Sequence, residues 1–141
     1  MTKKIENLEI GTSLNNKEIT EIFHCQYEGG IRKSKKMNLL VLINDPKYGL
    51  YNNRWEDDTL YFTAIGRTGD QSLEKPWQNR ELNHYKENEQ KLYLFEKLKP
   101  SHYEYKGEVE VVDEPFQEKQ KDDDGKERKV YVFPIKVKDA S

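Results

Sequence analysis

Tyr51, Trp55, Tyr61 and Phe62 share the stretch from Gly49 to Leu73 with Thr63, Asp70, Gln71 and the glycines Gly66 and Gly69. Those residue types can hold a nucleobase. Aromatic faces stack on bases. A carboxylate, a hydroxyl or an amide can hydrogen-bond a Watson–Crick edge, and carboxylates accept from the cytosine amino group. Glycine lets a backbone approach a ring closely. The same residues also fit a core strand followed by a tight loop. That structural role suits Leu60 and Phe62 best. Tyr51, Trp55, Tyr61 and Thr63 fit either role, and Asp70 could simply cap the following turn.

Charge is unevenly spread. The chain carries 24 Lys and Arg against 26 Asp and Glu, a formal net charge of -2. Gly29 to Arg54 nevertheless holds Arg32, Lys33, Lys35, Lys36, Lys47 and Arg54 against Asp45 alone. Glu108 to Glu127 holds nine acids against three lysines. A polyanion would approach the first segment and avoid the second, although either run also serves as a solvated face. Recognisable catalytic chemistry is missing. The sequence has no phosphate-binding glycine loop, no nucleophile elbow and no dinucleotide fingerprint. His24, His84, His102 and Cys25 lack metal-ligand spacing, so neither a metal nor a cofactor is expected. Glu104-Tyr105-Lys106 with Asp70 is the one nuclease-like hint, a set that could hold Mg²⁺. In so charged a chain, short pairs of this kind also arise by chance.

These residues need a scaffold. With 141 residues, 34% apolar and 11% aromatic, the chain fits one small domain. A lone cysteine excludes an internal disulfide and fits a reducing cytoplasm. No apolar run is long enough to cross a membrane, and Met1 to Asn7 does not read as a secretory signal. Residues 1–12 read as a lead-in strand or loop. Ser13 to Phe23 is expected to be a helix capped by Asn15 or Asn16, with Ile19, Ile22 and Phe23 on one face. Met37–Ile43, Thr59–Ile65 and Leu92–Phe95 read as strands, Asn44–Lys47 as a turn, and Asn79–Asn88 as a second helix. Tyr103, Tyr105, Gly107, Val109 and Val111 alternate with polar residues, the period of a half-buried strand. Asp124-Gly125 signals a hairpin into a last strand, Lys129–Val137, where Pro134 implies an edge or a bulge. The expected class is α+β: a mostly antiparallel, strongly curved sheet or partial barrel with about two helices.

Several blocks carry a resemblance. Gly29-Gly30-Ile31-Arg32-Lys33-Ser34, Gly49 to Trp55, Phe62-Thr63 through Gly69-Asp70-Gln71, Gln78-Asn79, Leu94-Phe95-Glu96 and Lys129 to Pro134 follow one another in order. Together, over roughly residues 10–138, they resemble the SRA-like (SET and RING-associated) domain of bacterial methylcytosine-dependent restriction endonucleases with a C-terminal HNH nuclease. Asn53 stands where that family tends to have Asp, and Ala64 where it has Gly; these departures bear on base preference more than on fold.

The resemblance implies a PUA-like barrel that flips a modified cytosine, 5-methyl or 5-hydroxymethyl, out of double-stranded DNA. Tyr51, Trp55, Tyr61, Thr63, Gly66, Asp70 and Gln71 would form the base pocket. Arg32, Lys33, Ser34, Lys35, Lys36, Arg54, Arg67, Asn79 and Arg80 would meet the DNA backbone, with Asn79 alternatively supporting the loop. The chain would itself be non-catalytic, and cleavage would come from an HNH-type domain in the same or a partner chain. Extruding a base costs a few kcal/mol, and stacking returns ~1–3 kcal/mol. A methyl group in an apolar niche adds only ~1–3 kcal/mol, or about 10- to 200-fold in discrimination. Three rivals stay open: a reader of methyladenine or RNA, a Mg²⁺-dependent nuclease, and a protein-interaction module using the sheet edge near Pro134.

Overall fold

The computed structural model describes residues 4–46 and 51–138. Among the described residues, nine strands form one curved sheet with an α-helix on each face. The strands are β1 (Ser13–Leu14), β2 (Ile31–Ser34), β3 (Leu39–Asn44), β4 (Arg54–Glu56), β5 (Thr59–Thr63), β6 (Lys91–Lys99), β7 (His102–Val111), β8 (Phe116–Lys121) and β9 (Glu127–Val137). Helix α1 spans Asn16–Phe23 and α2 spans Trp77–Asn83. The sheet runs β2-β3-β6-β7-β9-β5-β4, with β1 added to β7 and β8 to β9. Pairing is antiparallel except between β3 and β6. The expected α+β class, with a mostly antiparallel sheet and two helices, is what the chain forms.

The apolar run of β3 is explained by burial on both faces. Leu40 and Leu42 join Leu92, Leu94, Leu60, Phe62 and Phe133 in a core closed by Leu82 and Tyr85. Leu39, Val41 and Ile43 point the other way, to Phe23, Tyr93, Phe95 and Tyr105. In that second core Phe23 meets Phe95 edge-on at a 5.5 Å ring-centre distance. Such aromatic pairs contribute roughly 0.5–1.5 kcal/mol beyond the area they bury.

Helix α1 starts three residues later than the expected Ser13. The Asn15 side chain accepts the Glu18 N–H at 2.8 Å, and the Glu18 carboxylate accepts the Asn15 N–H at 3.0 Å. This reciprocal capping box fixes the first turn and frees Ser13 and Leu14 to pair with β7. Helix α2 also differs from the expected 79–88. It ends at Asn83 because Tyr85 turns inward, where its hydroxyl oxygen accepts the Val111 N–H at 2.9 Å. Strand β8 is polar and mostly exposed, so no hydrophobic period announces it; the Asp-Gly turn pairs it with β9. Pro134 is not at an edge. It is buried within β9, between the last position paired with β8, Val132, and the first paired with β7, Ile135. A residue without an N–H is tolerated there.

His84 follows α2 and sits between two carboxylates. Its Nε2 is 2.7 Å from Glu74 and its Nδ1 is 3.0 Å from Glu87. Hydrogen bonds to Glu74 and then Glu87 raise its pKa above the ordinary 6.5. A raised folded-state value means the contribution is complete below the unfolded histidine pKa and disappears as pH rises through the folded one. An NMR titration of the His84 ring should therefore give a midpoint above 6.5. His84→Gln should flatten the stability profile over the same interval. A midpoint at or below the ordinary value contradicts the paired geometry.

Candidate nucleic-acid interface

A cleft of about 540 Å³ opens where the ends of β2, β3, β5 and β6 approach the start of α1. That volume lies within the usual range for small-ligand pockets. Its apolar lining comes from Ile43, Phe62, Ile65, Tyr51 and Tyr103; its polar lining includes Arg32, Asn53 and Thr63. Gly30 sits at the entrance to β2. A Cβ there would come within 3.3 Å of the Ile65 side chain, so a larger residue would crowd the wall.

The polar groups are held by a continuous hydrogen-bond network. Asn53 Oδ1 accepts the Thr63 N–H at 2.7 Å, while its Nδ2 donates to Asn44 Oδ1 at 3.3 Å. Asn44 Nδ2 in turn donates to Glu96 at 2.8 Å. Thr63 is buried, and its Oγ1 accepts from Gln120 Nε2 at 3.1 Å. Gln120 also donates to Glu118 at 2.8 Å. Glu118 takes a two-point contact from Arg54 at 2.7 and 3.1 Å. The Arg54 hydrogen bond holds the Glu118 carboxyl below its ordinary pKa. Thr63 Oγ1 accepts, and among the described residues its own proton has no acceptor. Asn53 likewise retains one amide hydrogen beyond the one given to Asn44.

One wall is the loop after β5, and side chains clamp it at nearly every backbone group. The Gly66 N–H donates to the Tyr51 hydroxyl at 2.9 Å. Gln71 Nε2 donates to Ala64 O at 2.7 Å and to Gly66 O at 3.2 Å, and its Oε1 accepts the Tyr131 N–H at 3.0 Å. Arg128 donates to Gly66 O and Gly69 O. Fully buried Asn79 accepts the Ile65 N–H and donates to Ile65 O, both at 2.8 Å, and to Ser72 O and Lys75 O, both at 3.0 Å. Gly66 has φ 143°, a conformation that favours glycine.

Of the expected base-pocket residues, Tyr51 and Thr63 line this cleft. Gly66 and Gln71 shape its loop from behind. Trp55, Tyr61 and Asp70 lie elsewhere. Trp55 is 36% exposed and donates Nε1–H to Glu96 at 2.6 Å. Tyr61 packs edge-on against Phe116 at 6.0 Å, with the Arg54 guanidinium 5.3 Å over its ring. Asp70 is exposed and accepts the Lys129 N–H at 2.8 Å, in a separate shallow groove with Lys119 and Glu127. Its carboxylate closes the strand-to-loop junction and does not reach into the cleft.

The expected backbone-contacting residues divide in the same way. Arg32 turns inward and is 3% exposed, because β2 is a strand and alternation sends it toward α1. It donates to Gly29 O and Asn16 Oδ1, both at 2.8 Å, and lies 5.8 Å over the Tyr103 ring. Ser34 is buried, and its Oγ accepts the Met37 N–H at 3.1 Å. Burial likewise directs Asn79 to loop support and away from solvent. Arg54 is tied to Glu118, and Arg67 pairs with Asp123 at 2.7 Å on the cleft rim. Lys33 pairs with Glu81 at 2.7 Å, while Lys35, Lys36 and Arg80 are exposed. Gly49, Leu50 and Lys47 lie outside the described residues.

Sequence reasoning missed Asn53, Phe62 and Tyr103 as cleft residues. Asn53 sat within the Gly49–Trp55 block and was visible as a departure. Phe62 looks like core because it is core, with one edge on the cleft. Among the described residues no three His, Cys, Asp or Glu side chains are grouped to hold a metal. Lys106 pairs with Glu96 at 3.2 Å and Glu104 at 3.6 Å, and Asp70 is not among them.

Comparison with known proteins agrees with this architecture. The fold is similar to the sulfur binding domain and SRA domain of ScoMcrA complexed with phosphorothioated DNA (TM-score 0.72, 16% identity). The match covers 93% of this chain and 40% of that one, so the present chain spans less than half of its length. It is similar to the SUVH5 SRA domain bound to fully hydroxymethylated CG DNA (TM-score 0.71, 19% identity, 100% of this chain and 96% of that one). It is also similar to the DNA modification-dependent restriction endonuclease AspBHI (TM-score 0.67, 12% identity, 86% of this chain and 37% of that one). No curated protein sequence matches. The family model for the ScoMcrA-like SRA domain matches residues 10–140, and the chain belongs to that family.

Proposed function

We propose that the chain reads double-stranded DNA by receiving a single modified cytosine in the cleft beside Tyr51 and Thr63. The observation that carries this is the pair of unspent donors at the cleft, the Thr63 hydroxyl proton and the second Asn53 amide hydrogen. The Watson–Crick edge of cytosine presents two acceptors, O2 and N3, which two such donors fit. Tyr51 and Phe62 supply aromatic surface for the ring, and Ile43 and Ile65 an apolar niche for a 5-substituent. The cleft is prebuilt: loop, Tyr51 and Asn53 are all fixed by hydrogen bonds, so little ordering is left to oppose binding. The SUVH5 SRA structure that holds hydroxymethylated DNA supports the same reading.

In this reading the domain recognises, and a nuclease of HNH type in the same or a partner chain cuts. The test is a binding titration with duplexes that carry one cytosine, 5-methylcytosine, 5-hydroxymethylcytosine, N6-methyladenine or a phosphorothioate linkage. A modified cytosine should bind about 10- to 200-fold more tightly than plain cytosine. Equal affinity for all five overturns the proposal, and preference for methyladenine or phosphorothioate redirects it. Incubation of the chain alone with Mg²⁺ and modified duplex should leave the DNA intact.

A further inference from the structure

Two carboxylates behind the cleft decide which way its amides point. An ionised carboxylate only accepts hydrogen bonds, so an amide beside it must turn its nitrogen toward it. Arg54 meets Glu118 at 2.7 Å and keeps that carboxylate ionised. Gln120 therefore turns Nε2 to Glu118 at 2.8 Å, and its Oε1 accepts the Asn52 N–H at 3.1 Å. Reversing the amide would set oxygen against carboxylate and nitrogen against an N–H. With Gln120 locked this way, Thr63 Oγ1 has to accept from it. Gln120 is 9% exposed and Thr63 1%, so little water competes with that contact.

A parallel chain of contacts starts at Glu96, whose Oε1 faces Lys106 at 3.2 Å and whose Oε2 accepts Asn44 Nδ2 at 2.8 Å. Buried Asn44 is thereby obliged to offer Oδ1 to Asn53 Nδ2, and Asn53 offers Oδ1 to the Thr63 N–H. Thr63 and Asn53 line the cleft, whereas Gln120 and Asn44 stand behind it. What the two chains leave facing the cleft is a hydroxyl proton and an amide hydrogen. That polarity matters because the apolar niche cannot separate 5-methylcytosine from thymine. Thymine has the same ring, the same 5-methyl group and the same O2. The two bases differ at C4 and at N3, an acceptor in cytosine and an N–H in thymine. A thymine N3–H brought to Thr63 would force the hydroxyl proton to turn where no described residue accepts it. A buried donor left unmet is costly.

We infer that Gln120 and Glu118, from outside the cleft, are positioning residues that make the site reject thymine while it admits 5-methylcytosine. They act through Thr63 and touch no base. The inference rests on the base-reading proposal above and names what sets its specificity.

The experiment titrates duplexes that carry cytosine, 5-methylcytosine or thymine at one site opposite guanine. The mispaired thymine is the stringent competitor, because a mismatched base is easier to extrude. Wild type should favour 5-methylcytosine over thymine by about 10- to 100-fold. Glu118→Gln removes the group that locks Gln120, and the ratio should fall about fivefold or more. A purely structural loss would instead weaken all three duplexes alike. Gln120→Glu gives the Thr63 proton an acceptor and turns its oxygen to the cleft, so thymine should gain and 5-methylcytosine lose. Arg54→Gln keeps the carboxylate, so the ratio should hold. In the DNA-free protein, NMR should find both Gln120 side-chain amide protons protected from exchange, and that protection lost in Glu118→Gln. Unprotected protons in wild type overturn the lock. A wild type that prefers 5-methylcytosine to cytosine yet binds thymine as tightly overturns the inference and keeps the base reading. A thymine ratio that neither Glu118→Gln nor Gln120→Glu alters overturns it too. Equal binding of all three duplexes beside a protected Gln120 amide removes the base reading, and thymine rejection with it.

Discussion

Asn79→Leu is expected to destabilise the protein by about 2–4 kcal/mol. The substitution keeps the volume of a fully buried side chain and deletes all of its polar atoms. The Ile65 N–H loses its acceptor, and the carbonyls of Ile65, Ser72 and Lys75 lose the two amide hydrogens they share. Each buried polar group left unmet costs about 1–3 kcal/mol, and the loop can recover part of that by opening to water. For a domain of this size the melting temperature should fall by about 10 °C, as thermal unfolding monitored by circular dichroism would register. Opening the loop also displaces Ile65 and Arg67 from the cleft, so DNA affinity should fall even in the fraction that stays folded. Asn79→Asp retains the acceptor for Ile65 but sets a carboxylate beside three carbonyls, and should be no better. A loss below about 1 kcal/mol would mean that water replaces the amide at no cost, and that Asn79 is not the keystone of the loop.

The fold was largely legible because its strongest elements are periodic. The alternation from Tyr103 to Val109 and the apolar run ending at Ile43 each reported their burial directly. What escaped was set by partners distant in sequence. Strand β8 carries no hydrophobic pattern and exists because β9 pairs with it. The extent of β6, nine residues rather than four, follows from its two partners: β3 pairs Lys91 to Glu96 and β7 continues to Lys99. Helix α2 ends early for a tyrosine hydroxyl that meets a strand 26 residues away.

The site was legible as a stretch but not as a set of roles. Tyr51 and Thr63 were recognisable by type. By type Asp70 fits a base-reading carboxylate or a turn cap, and only the fold shows that its carboxylate accepts from the Lys129 N–H. Trp55 and Tyr61 lie on strands whose cleft-facing side depends on β9 and β8, which local sequence does not encode. Arg32 looked like a surface cation in a basic run. One strand residue's difference in direction separates it from Lys33: Arg32 turns toward Tyr103, Lys33 toward Glu81. Within a charged run, alternation decides which cation faces solvent, and it is readable only once the strand is known.

The largest effect on recognition is expected at Tyr51. Its ring lines the cleft, and its hydroxyl oxygen accepts the Gly66 N–H at 2.9 Å. Tyr51→Ala removes both, and a lost stacking partner costs ~1–3 kcal/mol, or about 5- to 150-fold in affinity for the modified duplex. Affinity for the unmodified duplex should hardly move, since phosphate contacts dominate there. The selectivity ratio therefore collapses toward one. Tyr51→Phe keeps the ring and gives up only the loop anchor, a net change of about 0.5–1.5 kcal/mol, so most of the selectivity should survive. Thr63→Val tests the edge contact in the same assay: it keeps the shape and deletes the hydroxyl, with both its proton and the acceptor Gln120 uses. A buried base acceptor left unmet costs about 1–3 kcal/mol. If the alanine and phenylalanine variants lose equal selectivity, Tyr51 acts by holding Gly66 and not by stacking. If neither Tyr51→Ala nor Thr63→Val changes the ratio, no base enters this cleft.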